Sequence, residues 1–339
     1  MRVQTGDVAQ EDVARLAGVS QKTVSRVLNK EPNVRKETRE KVMAALRSLK
    51  YHPNLSARSL ASNRSFLVAL LYDNPSQNYV METLTGVLEA CEPRDYGMMV
   101  MPLSSTAADI GEQIVSLLQK RRPDGLILTP PLTEHPRLLA ILRDGGIPFS
   151  SVLPHDPSGR IGVSLDERAA ACELVSYLIG LGHRRIAHIT GRMSHSAAQR
   201  RLEGYRDALK QAGIRYDKSL LASGEFTFPS GVLAARALFD GRRRPTAIFA
   251  ANDEMAAGAM WEAVRHGLKI PHDISVCGFD DAPIAEQVWP PLTTIRQPNR
   301  DMGRIAAEQL LEQLGGRQGT TVSVPYTLCK RESTGALAG

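Results

Sequence analysis

The chain has 339 residues, 42% hydrophobic and 23% charged, which is ample core material for two or three domains. No apolar run approaches the ~20 residues of a membrane span, the opening stretch MRVQTGDVAQEDVARLAG lacks the apolar core of a secretory signal, and four scattered cysteines without a CxxC pair argue against a zinc site or a disulfide framework. These features fit a cytoplasmic protein without a membrane partner. The formal charge of +6 is carried by residues 1–64, where thirteen Lys and Arg stand against six Asp and Glu; the remainder is close to neutral, so the leading segment has the electrostatic footprint of a polyanion binder.

In chain order, QEDVARLA (10–17) places Val13, Leu16 and Ala17 on one helical face, Gly18-Val19 breaks the run, and Ser20 is a good N-cap for QKTVSRVLN. Val24, Val27 and Leu28 face one way there, while Gln21, Lys22, Ser25 and Arg26 face another. Two short helices joined by a turn containing Gly form a helix-turn-helix. A third helix from Lys36 to Leu49 closes a small core with Val42, Met43, Leu46 and Leu49. The second helix fits a major groove, with Gln21, Lys22 and Arg26 in reach of base edges. After Pro53 a short polar stretch from Asn54 to Ala61 is too weak a helix to stand alone in water; it reads as a linker, or as a marginal hinge whose Leu60 wedges into a minor groove.

The runs DVARLAGVSQKTVSRVLN, VRKETREKVMAALRSLKYHPN and SARSLA resemble the DNA-binding headpiece and hinge of the LacI/GalR family of bacterial transcriptional regulators. The resemblance implies that Gln21, Lys22 and Arg26 read bases, that Ser20, Thr23, Ser25 and Asn29 lie near phosphates, and that Asn54, Ala57 and Leu60 belong to the hinge that enters the centre of a palindromic operator. Ala9 stands where the family usually caps the first helix with Thr or Ser, a loss of about 0.5–2 kcal/mol, leaving Asp7 or Thr5 to serve instead.

From residue 66 the period changes. FLVALLYD (66–73), YGMMVMPL (96–103), GLILTP (125–130), IPFSSVL (147–153), RIAHIT (185–190), TAIFAAN (246–252) and ISVCGFD (274–280) are short apolar runs separated by amphipathic stretches, the pattern of parallel sheets covered on both faces. The pattern is laid down twice, over about 66–165 and 166–292, with LTTIRQ (292–297), a helix near 300–315 and TVSVPYTL (321–328) crossing back between lobes. The expected fold is therefore an all-α helix-turn-helix headpiece followed by a bilobal α/β core of two parallel-sheet, Rossmann-like subdomains, resembling periplasmic binding proteins. The expected divisions are 1–52 for the headpiece, 53–64 for the hinge, 65–165 with 295–324 for the first core subdomain, and 166–294 with 325–339 for the second.

Polar residues directly after strands, Tyr72-Asp73-Asn74, Asn252-Asp253 and Asp280-Asp281, point to a ligand cleft; at Asp253 and Asp281 a helix N-cap is the plainer reading. AANDEMAAGAM, ISVCGFDD, PPLTTIRQP and LGHRRIAHI resemble further family motifs, and the resemblance implies effector contacts from Asp73, Tyr79, Arg201, Phe226, Asn252 and Asp280. It places His195 and Asp156 in effector-lining loops, where a surface role is the simpler expectation. Relatives often show Phe at the position of Asn299, so no one relative's ligand transfers directly. The favoured effector is a sugar, with a purine, a sugar phosphate or a protein corepressor as alternatives. No nucleophile elbow, P-loop, zincin or dinucleotide fingerprint is present, so neither enzyme activity nor a cofactor is expected. An exported solute receptor would need a signal peptide and has no use for the basic segment. Two half-sites on a dyad call for a homodimer, and without a Leu-heptad extension a dimer is expected in preference to a tetramer.

Overall fold

Apolar side chains at every third or fourth position between Gln10 and Leu49 wind this stretch into three short helices, α1 (Gln10–Ala17), α2 (Gln21–Leu28) and α3 (Lys36–Ser48). The computed structural model describes residues 9–28, 33–49, 64–241 and 244–337 and divides the chain into two units, Met1–Phe66 and Leu67–Gly339. In the first unit Val13, Val24, Val27, Val42 and Leu46 form the core. Gly18, at φ 63, ends α1 in the left-handed conformation that favours glycine, and the Thr23 N–H donates to Ser20 Oγ at 3.2 Å to cap α2.

Two expected core residues lie outside it: Leu16 is 54% exposed and Met43 is 42% exposed. Helices of two to four turns bury only a narrow stripe, and the small residues Ala14 and Ala45 occupy it because they let the backbones approach. Helix α1 starts with Ala9 at its N-cap and has no side-chain acceptor there; the Asp12 carboxylate takes the Ala9 N–H at 2.9 Å. Asp7, Thr5 and residues 53–63 of the hinge expected over 53–64 lie outside the described residues.

In the second unit, a six-stranded parallel sheet runs in the order β11-β5-β4-β3-β1-β2. Numbered along the chain, its strands are β1 (Leu67–Tyr72), β2 (Gly97–Pro102), β3 (Gly125–Leu128), β4 (Phe149–Val152), β5 (Gly162–Ser164) and β11 (Thr321–Ser323). The alternation within β1 decides the layers. Val68 and Leu70 pack with Val87, Cys91, Ala306 and Leu310 from α4 (Gln77–Cys91) and α12 (Asn299–Leu314). Ala69 and Leu71 pack on the opposite face with Ile114 and Leu138 from α5 (Ile110–Arg121) and α6 (Pro136–Asp144). Helices α4 and α12 cross so closely that a Cβ on Gly86 would lie 1.8 Å from the Arg300 carbonyl oxygen.

A four-stranded parallel sheet has the order β7-β6-β8-β9, with β6 (Ile186–Thr190), β7 (Leu221–Ser223), β8 (Ala247–Ala250) and β9 (Ser275–Cys277). Helices α7 (Glu167–Gly180) and α8 (Ser196–Gln211) cover one face; α9 (Phe228–Phe239) and α10 (Asp253–Arg265) cover the other. After the one-turn α11 (Ile284–Gln287), β10 (Thr294–Arg296) pairs antiparallel with β12 (Thr327–Cys329). The crossing segment TVSVPYTL is thus not one strand. Val324-Pro325-Tyr326 divides it, leaving β11 with the first sheet and β12 with β10.

Candidate functional site

Residues that follow strands of both sheets converge on one cavity in the second unit: Asn74 after β1, Pro130 after β3, Leu153 after β4, Phe226 after β7, Asn252 after β8 and Asp280 after β9. Open α/β sheets hold ligands at such carboxyl ends. Tyr79 enters from α4, Arg201 from α8, and His195 from the residue that precedes α8. Leu153, Phe226 and Asp280 have φ of 52, 60 and 115°, a region that side chains with a Cβ rarely occupy; three such residues around one cavity mark backbone held in place by its surroundings. Gly191 is needed for the same geometry, because a Cβ there would lie 1.9 Å from the Phe226 ring.

Arg201 is 4% exposed and almost fully partnered. Its Nη2 and Nε donate to Glu167 Oε1 at 2.7 and 3.1 Å, Nη1 donates to the Ala251 carbonyl, and Nη1 lies 3.6 Å from Asp280 Oδ1. The guanidinium sits 3.8 Å from the centroid of the Phe279 ring. Burial pushes the Asp280 carboxyl up to about 6 against the opposing pull of Arg201, and Gln297 Nε2 donates to it at 2.6 Å. Burial holds the His195 imidazole down at about 4, so it is neutral near pH 7; its ring is 5.4 Å from Phe226 and its Nε2 has no partner within the protein. The Tyr79 hydroxyl is likewise without a partner, and burial raises its pKa. Ser76 Oγ donates to Glu254 Oε1 at 3.1 Å, a bond between the segment after β1 and the first turn of α10.

In the first unit α2 turns Val24 and Val27 inward and leaves Gln21, Lys22 and Arg26 exposed on the opposite side. Ser20 is exposed at the helix start, and Thr23 and Ser25 are partly exposed along it. This surface is polar and basic, with Gln21 and Lys22 at the N-terminal end of the helix.

Residues 11–54 match the bacterial regulatory proteins of the lacI family, and residues 175–334 match the periplasmic binding protein-like domain. The ribose operon repressor of Escherichia coli (strain K12) is 36% identical over 307 residues, covering 90% of this chain and 92% of its own. The chain belongs to the LacI family of bacterial regulatory proteins. The transcriptional repressor PurR of Vibrio vulnificus (strain CMCP6) is 36% identical over 313 residues, covering 91% of this chain and 92% of its own. Among solved structures, the Lac repressor dimer bound to operator and the anti-inducer ONPF aligns with a TM-score of 0.80 at 30% identity, covering 97% of this chain and 99% of that one. The complex of the regulator CelR with cellobiose aligns with a TM-score of 0.73 at 32% identity, covering 96% and 99%. These relatives are regulators, and this LacI-family chain is a regulator rather than an enzyme.

Of the effector residues expected from the sequence, the LacI-family core brings Tyr79, Arg201, Phe226, Asn252 and Asp280 to one cavity and leaves Asp73 out of its lining. The Ser105 N–H and hydroxyl donate to Asp73 Oδ2 at 2.8 and 2.6 Å, and the next residue, Asn74, faces the cavity instead. Asn252 has a second duty. Its Oδ1 takes the Met255 N–H to cap α10, and its Nδ2 donates to the Phe226 carbonyl, so it also orients the aromatic wall. The cap expected of Asp253 therefore belongs to Asn252; Asp253 instead receives the Ala282 N–H and the Thr294 hydroxyl, and burial raises its pKa well above the usual carboxylate range. Asp281 pairs with Arg296 and Arg331. Asp156 caps its own turn through the Ser158 N–H.

His195, expected at the surface, is 2% exposed and lines the cavity, because it occupies the strand-to-helix turn between β6 and α8. Gln297, missed in the sequence, is the residue immediately after β10, so the same strand-end rule that points to Asp280, three residues past β9, singles it out. Among the expected DNA contacts, Asn29, Asn54, Ala57 and Leu60 lie outside the described residues.

Proposed function

We propose that this chain is a transcriptional repressor that binds a palindromic operator as a homodimer in the cytoplasm and changes its grip when a neutral, hydroxyl-rich molecule, a sugar, occupies the core cavity. The observation that carries the reading is the setting of Arg201. Its charge is already met by Glu167 and Asp280, so an incoming sugar phosphate would find two carboxylates and no spare cation, whereas hydroxyls can both donate to Asp280 and accept from the guanidinium. The Phe226 ring beside them suits the apolar C–H face of a sugar. The ribose operon repressor and the CelR–cellobiose complex support a sugar. The PurR relatives support a purine as the second reading, since the same ring can stack on a nucleobase.

Effector action follows from linkage: a ligand shifts the operator equilibrium only by its differential affinity for two lobe arrangements, commonly about 1–3 kcal/mol. Ser76–Glu254 is one bond such a shift would make or break.

The test is operator binding by fluorescence anisotropy against random duplex, repeated with a panel of sugars and nucleobases, alongside thermal shifts of the full chain. The expected result is a salt-sensitive preference for a two-fold symmetric duplex that a sugar changes and a nucleobase leaves alone. A response to hypoxanthine or guanine alone would select the purine reading. No preference for any symmetric duplex would overturn the repressor.

A further inference from the structure

Two neighbouring aspartates after β9 hold left-handed backbone, Asp280 at φ 115 and Asp281 at φ 56, a conformation that persists only where the surroundings enforce it. They face different ways. Asp280 lines the cavity beside Arg201, and Asp281 turns to Arg296 and Arg331. We propose that Asp253, which is outside the cavity lining, is the positioning residue that keeps Asp280 in the cavity and Asp281 out of it, by gripping the chain on both sides of the pair. Its consequence for the effector rests on the reading of the cavity as a sugar site.

The grip has three points. The Asp253 N–H donates to the Phe279 carbonyl at 2.9 Å, one residue before the pair, and the Ala282 N–H donates to Asp253 Oδ2 at 2.7 Å, one residue after it. Asp253 Oδ1 receives the Thr294 hydroxyl at 2.5 Å. This ties the same side chain to β10, where the Ile295 carbonyl accepts the Asp280 N–H at 2.8 Å. Asp253 is fully buried and closely fitted: a Cβ on Gly278 would lie 2.2 Å from its Oδ1. Capping α10 is no part of its task, because Asn252 does that. A side chain that only filled this space could be apolar, and a buried carboxyl is tolerated because these bonds are made. Cut loose at Ala282, the turn is free to relax towards ordinary backbone, and Asp280 loses its place against Arg201 and Gln297.

The test is a double-mutant cycle on the full chain, Asp253→Ala with Asp280→Asn. It is read by calorimetry with ribose, glucose, galactose, cellobiose and hypoxanthine, using whichever the native chain binds most tightly. Asp253→Ala and Asp280→Asn should each weaken that ligand at least tenfold. The double variant should be no weaker than Asp280→Asn alone, because a positioning residue acts through the residue it places. Burial raises the Asp253 pKa well above the usual carboxylate range, so Asn, with an acceptor for Ala282 and an N–H for Thr294, is the conservative variant. Asp253→Asn should stay within threefold of native. Thr294→Val removes one tie, keeps the shape, and should fall between native and Asp253→Ala. Operator affinity without ligand should stay within twofold throughout, and amide exchange over 279–282 should quicken in Asp253→Ala while β6 and α8 keep their native rates. Additive losses, an Asn variant as weak as the Ala variant, or ligand and operator binding lost together would overturn the proposal. Unchanged exchange over 279–282 would overturn the grip whatever ligand binds. A native chain that binds hypoxanthine alone would overturn the sugar reading, and the cycle run with hypoxanthine then decides Asp253 by itself; a native chain that binds none of the five would overturn both.

Discussion

Asp280 shows how much a single position in the core has to reconcile. It holds a left-handed backbone at φ 115, receives Gln297, opposes Arg201 across 3.6 Å and has a carboxyl raised to about 6, chiefly by burial. A carboxyl whose folded pKa lies above its unfolded value of 3.8 stabilises the fold below that value and loses the contribution as pH rises through about 6. Relative to Asp280→Asn, the free native chain is therefore expected to lose thermal stability as pH rises from 4 to 6, measured by parallel melts. Sugar hydroxyls that donate to this carboxylate favour its charged form, so effector binding should release a proton and tighten as pH rises from 5 to 7, read by calorimetry in buffers of different ionisation enthalpy. His195 and His188, held at about 4 against an unfolded value of 6.5, act in the opposite sense over that window, gaining stability as pH rises, so it is the difference from Asp280→Asn that isolates the carboxyl. At this scale the sequence was only half legible. A polar residue after a strand announces the cleft, yet which of two neighbours enters it depends on local bonds. Ser105 takes Asp73 away and leaves Asn74, and the need for an α10 cap gives Asn252 a double task.

The helices of the headpiece are legible because each carries its own punctuation. Gly18 ends α1 and Ser20 starts α2, and both signals are local. The periodic pattern is less informative about depth: Leu16 and Met43 match a helical face but stay exposed, since short helices packed through Ala14 and Ala45 have little inside to offer. The weak point is the start of α1. Ala9 has the extended backbone of an N-cap, φ −85 and ψ 158, but no acceptor side chain. Ala9→Ser supplies one in place, and the first turn should gain about 0.5–2 kcal/mol. Slower hydrogen exchange of the α1 amides is the expected readout, and exchange unchanged from the native chain would mean that Asp12 already does the capping. On α2 the two contact types separate. Lys22→Gln should change base preference at one position per half-site by about 1–3 kcal/mol, whereas Thr23→Ala should weaken all duplexes alike, as competition binding with variant operators would show. The short strands were the hardest elements to foresee. Gly162–Ser164 and Leu221–Ser223 have three residues each, too few for a period to register, and their place is set by the neighbours they pair with.

The architecture of the whole chain was legible from two asymmetries, the basic leading segment and the twice-repeated strand–helix alternation, because both follow from bulk physics: phosphate attraction, and the need to cover both faces of a parallel sheet. Candidates for a surface between two copies were not legible, since an exposed apolar residue looks like a core residue until the fold is known. Leu233 on α9, and Trp261 and Val264 on the helix packed against it, are 63, 46 and 62% exposed. Exposed apolar side chains on two packed helices are candidates for the self-complementary face that a homodimer on a two-fold operator needs. Val264→Glu places a charge on α10 at an exposed apolar position while leaving the cavity untouched. It is expected to shift sedimentation from dimer to monomer and to weaken operator binding by far more than it weakens non-specific binding, because a single headpiece reads one half-site. Effector affinity should stay the same, since the cavity lies within one chain. A variant that sediments as a dimer with native operator affinity would move the dimer contact elsewhere. A monomeric variant that still binds the full operator as tightly as the native chain would instead remove the need for two half-sites.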